Sequence, residues 1–491
     1  MRKRLLHASL ISNSPFALIE GRPNDVNSAY NDPGCLEKLQ VRVSVIGCGH
    51  VGLVTGGCMA VIGHQVTCTD RDGERIRLLD GGRLPIYEPH LDEFLLRSRA
   101  DGSLTFTCDL DKCLEDAEVA LLCVGVPQLE NGDADFSALD SAARQIARAA
   151  SSPALIVVRS TVPVQTGKQL KHLLNVYRDN PSLCFIVAFN PQFLREGTAV
   201  EDFLHPDYIL FGVEDSLSGR ILRELYAPVL EQNFRCPLHP MGCPPRKLPE
   251  LIITSIQSAE LIKHTSNAFL AVKISYANVL ADLCERLGAD VQEVTRAVGL
   301  DPRIGPRFLN PGIGFGGSKL PKDLRALSHL AEQAGVEAGI FHAAQEVNRS
   351  RVDRFFEKVQ SSLWVLRDKR IGLLGLAHKA HTDDIRGSPA IDLFKRFTAA
   401  GAQVRAFDPR AMDQARSAHP GMTFGADAYD VAEHADALVI STDWGEFREL
   451  DWKRIRDVMA RPSVFDGRDL LSPSRMKELG FEYYSVGRPD L

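Results

Sequence analysis

The hexapeptide Gly47-Cys48-Gly49-His50-Val51-Gly52 constrains this chain more than any other segment. It fits G-x-G-x-x-G, follows directly on a valine-rich run at residues 41–46, and opens a helical pattern over 50–62. In that setting the glycines allow a tight turn and close approach of the backbone to a pyrophosphate, and the helix N-terminus supplies free N–H groups and a favourable dipole. The next strand, 64–69, ends at Asp70, eighteen residues after Gly52. A carboxylate there accepts hydrogen bonds from the adenosine-ribose hydroxyls and repels a 2′-phosphate, which favours NAD over NADP. Arg71 beside it keeps NADP open. Glycines serving chain geometry alone are the plainer reading, but strand, helix and acid are all in place.

Further strand-like runs fall at 103–108, 119–124, 155–159, 184–188 and 208–213, with helical stretches between them. Such alternation predicts a parallel, doubly wound sheet. A loop rich in Pro, Gly and Cys at 236–249 reads as a domain edge. Residues 255–287 then run without Gly or Pro. That is long for a globular helix, and such a helix can join two domains and carry a dimer contact on its apolar face. A second α/β pattern has strands at 370–374, 403–407, 437–441 and 463–465. The expected architecture is α/β: an N-terminal Rossmann-like doubly wound parallel sheet, a central helical domain with a long connecting helix, and a smaller C-terminal Rossmann-like domain. A chain of 491 residues should split in this way, because one core rarely grows past ~250–300 residues. The expected boundaries are an N-terminal extension at 1–40, then domains at 41–250, 251–365 and 366–491.

An apolar fraction of 44% with 24% charged residues fits an ordinary soluble protein. A net charge of -6 with dispersed basic residues does not suggest a nucleic-acid role, and none is expected; no apolar run is long enough to span a bilayer. The start, Met1-Arg2-Lys3-Arg4 followed by Leu5-Leu6, resembles a signal peptide. His7 and Ser9 interrupt it, so the first forty residues read as a poorly ordered extension. Eleven cysteines contain no C-x-x-C pair. They read as buried small apolar residues, among them Cys48, Cys68, Cys108, Cys123 and Cys184, in a reducing cytoplasm. No metal is expected.

Leu84-Pro85-Ile86-Tyr87-Glu88-Pro89, Cys123-Val124-Gly125-Val126-Pro127, Arg159-Ser160-Thr161-Val162-Pro163 and Asn190-Pro191-Gln192-Phe193-Leu194-Arg195-Glu196-Gly197-Thr198-Ala199 follow in order. So do Glu260, Lys263, Asn267 and Lys273 on the long helix, then Arg303-Ile304-Gly305 and Gly314-Phe315-Gly316-Gly317-Ser318. The last are Gly375-Leu376-Ala377-His378-Lys379, Thr382-Asp383-Asp384-Ile385-Arg386 and Asp466-Gly467-Arg468. On these segments the chain resembles the UDP-glucose/GDP-mannose dehydrogenase family, closest to its UDP-glucose branch, from about Val41 to Gly487. The resemblance implies NAD-dependent oxidation of the 6-hydroxyl of a sugar nucleotide, with NAD bound by the first domain and the sugar nucleotide by the last.

It also implies a site. Gly47, Gly49, Val51, Gly52, Asp70, Val126, Pro127 and Thr161 would hold the cofactor. Phe193, Leu194, Lys263, Asn267, Arg303, Phe308, Gly316, Lys379 and Arg468 would meet the substrate. Lys263, Asn267, Asp323 and Thr161 would serve catalysis. Lys263 and Asn267 are spaced i, i+4 and project from one helix face, where an ammonium and an amide can bind an oxygen that gains negative charge. Alone, Lys263 would read as a solvated helix lysine. Asp323 handles a proton in the family pattern, and it equally reads as the N-cap of a helix near Leu324. The glycines from 312 to 317 let backbone N–H groups approach a sugar or phosphate. The counterpart of Arg303 reaches a neighbouring subunit's site, which implies a homodimer or higher oligomer.

The pattern breaks at three places. The family's nucleophilic cysteine is replaced by Lys319, its thioester-hydrolysing glutamate by Gln192, and the acid after the helix asparagine by Val279, next to Asn278. In the family the alcohol first becomes an aldehyde; a thiolate then captures it, a second hydride leaves, and water cleaves the thioester. Without cysteine no thioester forms, and a lysine adduct oxidised in its place would be an amide, which water cleaves very slowly. The first stage needs neither lost residue. Three readings follow: oxidation that stops at the aldehyde, full oxidation to a uronate through the hydrated aldehyde, or an inactive NAD- or sugar-nucleotide-binding partner subunit. Retention of Lys263, Asn267 and Asp323 argues against the third.

Overall fold

Short runs rich in apolar residues set the positions of most strands in the computed structural model, which describes residues 40–129, 133–150 and 154–489. The extension expected over 1–40 lies outside these residues, apart from Gln40. The chain divides into two compact units, and the break falls inside one helix, between Lys263 and His264.

The first unit holds an eight-stranded sheet of β1 (Arg42–Ile46), β2 (Gln65–Thr69), β3 (Leu104–Thr107), β4 (Val119–Leu122), β5 (Leu155–Val158), β6 (Ile186–Phe189), β7 (Tyr208–Gly212) and β8 (Glu250–Thr254). Its order is β3-β2-β1-β4-β5-β6-β7-β8. The first six strands are parallel, with Val43 opposite Val66 on one side and Val119 on the other. This is the doubly wound order, with its ligand crevice at the carboxyl ends where the strand sequence reverses. Every residue of β4 and β5 is buried, as expected of strands covered on both faces.

The sheet is not wholly parallel. β7 runs antiparallel to β6, with Phe189 opposite Gly212. The connection carries only the six-residue helix Ala199–Leu204. Such a helix rises ~9 Å, too little to return the chain along a strand of ~16 Å. The chain therefore re-enters the sheet at the edge where β6 left it. The segment Asn190-Pro191-Gln192-Phe193 is thereby held at the same carboxyl edge as the glycine loop.

The second unit contains the rest of the long helix Ile256–Leu287, then helices Val291–Gly299, Leu320–Gln333 and Gly339–Leu363. Its sheet is all parallel: β9 (Arg370–Leu374), β10 (Gln403–Phe407), β11 (Thr423–Phe424), β12 (Ala437–Ile440), β13 (Ser463–Asp466) and β14 (Glu482–Ser485), in the order β11-β10-β9-β12-β13-β14. β9 packs Ile371 and Leu373 against Leu393, Phe397 and Val439. The loop after β9 repeats the arrangement after β1. Gly375 has φ 93°, and Asp408, one residue past β10, accepts N–H bonds from Leu376 at 2.6 Å and Ala377 at 3.0 Å. No described helix is long and apolar enough to cross a membrane.

Three expectations need correction. Cys108 and Cys184 are exposed: Cys108 follows the last residue of β3, and Cys184 lies before the first residue of β6. Asp323 is no N-cap. Its helix starts at Leu320, since Pro321 suits a first turn whose N–H groups need no intrahelical partner, and Asp323 sits one turn in with 1% exposure.

Candidate active site

The three motif glycines do different work. Gly47 closes the turn after β1 with φ 102°, in the left-handed region that favours glycine. A Cβ on Gly52 would lie 1.7 Å from the Gly47 carbonyl oxygen, so helix His50–Val61 packs onto the turn only with glycine there. A Cβ on Gly49 would meet nothing within 4 Å. The space over this helix N-terminus is open, and the residues present fit a bound pyrophosphate. Gly49→Ala should therefore fold normally, its φ of -75° being ordinary, yet lose NAD affinity by about tenfold or more, ~1.4 kcal/mol. Gly52→Ala should lose stability, as overpacking costs ~1–3 kcal/mol. Thermal melts beside NAD titrations separate the two; equal behaviour of both variants contradicts this division.

Asp70 is held by three donors. The Cys48 N–H donates to Oδ2 at 2.7 Å, Arg75 Nη1 donates to the same oxygen at 3.0 Å, and the Asp72 N–H donates to Oδ1 at 3.0 Å. The acid thus braces the glycine loop while pointing its carboxylate along the carboxyl edge of the sheet. Two further loops meet there. Ser160 Oγ donates to the Val124 carbonyl at 2.5 Å, which ties the turn carrying half-buried Thr161 to the loop carrying buried Val126 and exposed Pro127. Glu260, with no exposure, accepts from the N–H groups of Gln165 at 2.6 Å and Gly167 at 2.8 Å. It caps the helix Thr166–Tyr177 that follows this turn, an interaction favoured by the dipole.

Lys263 is 3% exposed, and its Nζ lies 4.8 Å from the centre of the Phe193 ring. That settles it as no solvated helix lysine: a buried ammonium over an aromatic face is a constrained charge. Gln192 is buried, with Oε1 accepting from the Leu194 N–H at 2.8 Å. The short connection between β6 and β7 thus presents Phe193 and Leu194 from a braced turn.

In the second unit, one turn along the long helix from Lys263, Asn267 Nδ2 donates to Asp323 Oδ2 at 2.5 Å. Asp323 Oδ1 lies 3.6 Å from Nδ1 of His264, which is 3% exposed. Sequence reasoning paired Asn267 with Lys263 and missed His264. A polar group three residues before Asn267 was its only signal. Together, half-buried Asn267 and buried Asp323 and His264 form a set able to hold an oxygen and exchange its proton.

The glycine-rich loop is clamped from several sides. Asn278 Oδ1 accepts from the Gly312 N–H at 2.8 Å, and Asn348 bonds both the N–H and the carbonyl of Phe315, at 2.8 and 3.0 Å. A Cβ on Gly316 would lie 2.1 Å from the Gly387 carbonyl, and one on Gly317 would lie 2.7 Å from His378 Nε2. These two glycines are required by the neighbouring 378–387 loop. Arg468 donates through Nε to Ser441 O at 2.8 Å and through Nη1 to Gly314 O at 3.1 Å, so it locks this loop to the second sheet. Lys379 is half-buried near by in sequence to His378, and Phe308 holds a left-handed φ of 65°. Arg303 lies apart from this cluster: its side chain is 87% exposed and paired with Asp301 at 2.6 Å.

Lys319 occupies the N-cap position of helix Leu320–Gln333, half-buried. A helix N-terminus favours an anion such as a thiolate; here the side chain carries a cation. The next basic residue, Lys322, is held below the usual lysine range by burial, against the pull of Asp323.

Residues 41–230 match the NAD-binding domain of the UDP-glucose/GDP-mannose dehydrogenase family, 257–350 its central domain, and 372–473 its UDP-binding domain. The chain is 39% identical over 450 residues to a UDP-glucose 6-dehydrogenase of Rickettsia felis, covering 91% of this chain and 96% of that one. It is 40% identical over 455 residues to one of Rhizobium meliloti, covering 92% and 100%. The structure of a UDP-glucose dehydrogenase from Pyrobaculum islandicum superposes with a TM-score of 0.82 at 33% identity, covering 93% of this chain and 100% of that chain.

Proposed function

Since this chain belongs to the UDP-glucose/GDP-mannose dehydrogenase family, we propose that it oxidises the 6-hydroxyl of a UDP-glucose-like sugar nucleotide by two electrons and releases the 6-aldehyde or its hydrate. It is an NAD-dependent dehydrogenase. The finer claim rests on one observation: Lys319 stands where the reaction's second half needs a thiol, while Asn267 and buried Asp323, 2.5 Å apart, are retained for the first half.

The open cradle at Gly49, with Gly47, Val51, Gly52, Asp70, Val126, Pro127 and Thr161, would hold NAD. NAD, when bound, would supply the acceptor for the hydride of the carbinol carbon. Lys263 and Asn267 hold the 6-oxygen as its charge rises. Asp323 manages the hydroxyl proton, with His264 beside it as a relay. Phe193, Leu194, Phe308, Gly316, Lys379 and Arg468 serve the sugar nucleotide, directly or by fixing the loops that meet it. Gln192 presents an amide where hydrolysis would need a carboxylate. Domain limits of 41–250, 251–365 and 366–491 suit these duties.

The test is the number of NADH formed per sugar nucleotide consumed, with products weighed by mass spectrometry. One NADH and an aldehyde is expected; two with free uronate supports a route through the hydrated aldehyde, and none supports a binding subunit.

A second copy of the chain is the expected partner. Phe269, Tyr276, Val279 and Leu283, each 40% exposed or more, form an apolar stripe along the long helix. Val279, where the family has an acid, extends that stripe. Light scattering should give the mass of a dimer or a multiple of it, whereas a monomer would contradict this role for the stripe and remove the neighbour that Arg303 would reach. A cytoplasmic location suits the free cysteines of the described residues.

A further inference from the structure

The loop at 236–243 folds back on the end of helix Ala199–Leu204 and brings two cysteines and two histidines together. One ligand-type atom from each of His205, Cys236, His239 and Cys243 lies within 4.8 Å of every other. Cys236 Sγ is 3.2 Å from His205 Nε2 and 3.5 Å from His239 Nδ1, and Cys243 Sγ is 3.7 Å from His205 Nε2. Around a tetrahedral ion with metal–sulfur bonds of ~2.3 Å and metal–nitrogen bonds of ~2.0–2.1 Å, sulfur and nitrogen ligands sit ~3.5 Å apart. The three distances bracket that value.

The surroundings are arranged for ligation. Gln232 Oε1 lies 2.6 Å from His205 Nδ1, while its Nε2 donates to the carbonyls of Leu204 at 2.9 Å and Val229 at 2.7 Å. Those two donor bonds fix the amide with its oxygen toward the ring. Nδ1 therefore carries the proton, and Nε2 turns its lone pair to the two sulfurs. An orienting acceptor of this kind on the far ring nitrogen is what metal-bound histidines require. Gln232 holds a left-handed backbone to do this, φ 51°, an uncommon conformation for a residue with a Cβ.

We propose that His205, Cys236, His239 and Cys243 bind one structural zinc ion that staples the connection between β6 and β7 to the loop before β8. Two thiols and two imidazoles make a closed tetrahedral set with no position left for substrate. Binding releases the two thiol protons, and the resulting dithiolate site is neutral. The staple lies one short helix beyond Phe193 and Leu194, so it stiffens the segment that presents them. It is independent of the product assigned above.

The sequence hid the cluster, because Cys-x-x-His-x-x-x-Cys lacks the paired cysteines of familiar zinc motifs and the fourth ligand lies thirty-one residues upstream of Cys236.

The experiment is metal analysis of the tag-free full chain, purified under reducing conditions and dialysed against zinc-free buffer. About one zinc per chain is expected, with no more than a tenth of that in Cys243→Ser or His239→Ala. Cys243 is exposed, so its variant should fold even if Cys236→Ser does not. Cobalt substitution should give thiolate-to-cobalt absorption bands in the wild type and lose them in Cys243→Ser, and chelation should lower the melting temperature of the wild type alone. Zinc-free wild-type protein that also fails to take up added zinc, zinc retained equally by Cys243→Ser, or a Cys236–Cys243 disulfide in freshly purified protein would each overturn the proposal.

Discussion

Replacing Lys263 by alanine should slow hydride transfer by ~100–1,000-fold, the usual loss when one donor to a developing oxyanion is removed, while NAD binding stays close to that of the wild type. The argument rests on where the charge sits. Lys263 is 3% exposed and its ammonium lies over the Phe193 ring. A buried ammonium over an aromatic face is a constrained charge. It shares one helix face with Asn267, where an ammonium and an amide suit an oxygen that becomes negative as hydride departs. Two controls keep the result interpretable. Lys263→Met preserves most of the side-chain volume and should be nearly as slow as alanine, which separates charge from packing. Melting curves should show that both variants are folded. Wild-type turnover by either variant would remove Lys263 from the chemistry.

Putting the thiol back should change the product in two distinguishable ways. Lys319→Cys places a thiol at the N-cap of helix Leu320–Gln333, where the helix dipole favours the thiolate. It should capture the aldehyde, pass on a second hydride and then stall as a thioester, because buried Gln192 offers only an amide already bonded to the Leu194 N–H. Two NADH per active site should appear in a burst, with an acyl adduct on the new cysteine detectable by mass. Adding Gln192→Glu supplies a carboxylate at a position with an N–H donor in place, and the double variant should turn over to free uronate. General-base assistance contributes ~100–10,000-fold, so the steady rates of the single and double variants should differ by a comparable factor. Equal uronate formation by both would show that water needs no base at position 192.

Much of the fold was legible because the strands of a covered parallel sheet are short apolar runs with glycine or an acid after them, as at 41–46 and 119–124. β8 was not read. Glu-Leu-Ile-Ile-Thr follows a loop rich in proline and runs straight into the long helix pattern, so nothing separates the two periods. β11 has two residues and β14 opens on exposed Glu482, and neither is long enough to show alternation. The reversal between β6 and β7 depends on a helix length that propensity alone cannot fix. At the site, motif spacing exposed the glycine loop and Asp70, since backbone geometry demands those residue types. It did not expose His264, Asn348 or Arg351. Arg351 pairs with Asp282 at 2.5 Å and donates to the Gly312 carbonyl at 3.2 Å. All three sit on helices within runs of polar residues, and only packing tells them from a solvated face. The glycines at 316 and 317 were legible as glycines but not in their cause, which is the approach of His378 and Gly387.

The most direct test of the central claim is the ratio of NADH formed to sugar nucleotide consumed by the unaltered chain, with UDP-glucose supplied in limiting amount and the reaction followed to completion. A ratio of one, with a 6-aldehyde or its hydrate as product, is the predicted result. A ratio of two with free UDP-glucuronate contradicts it.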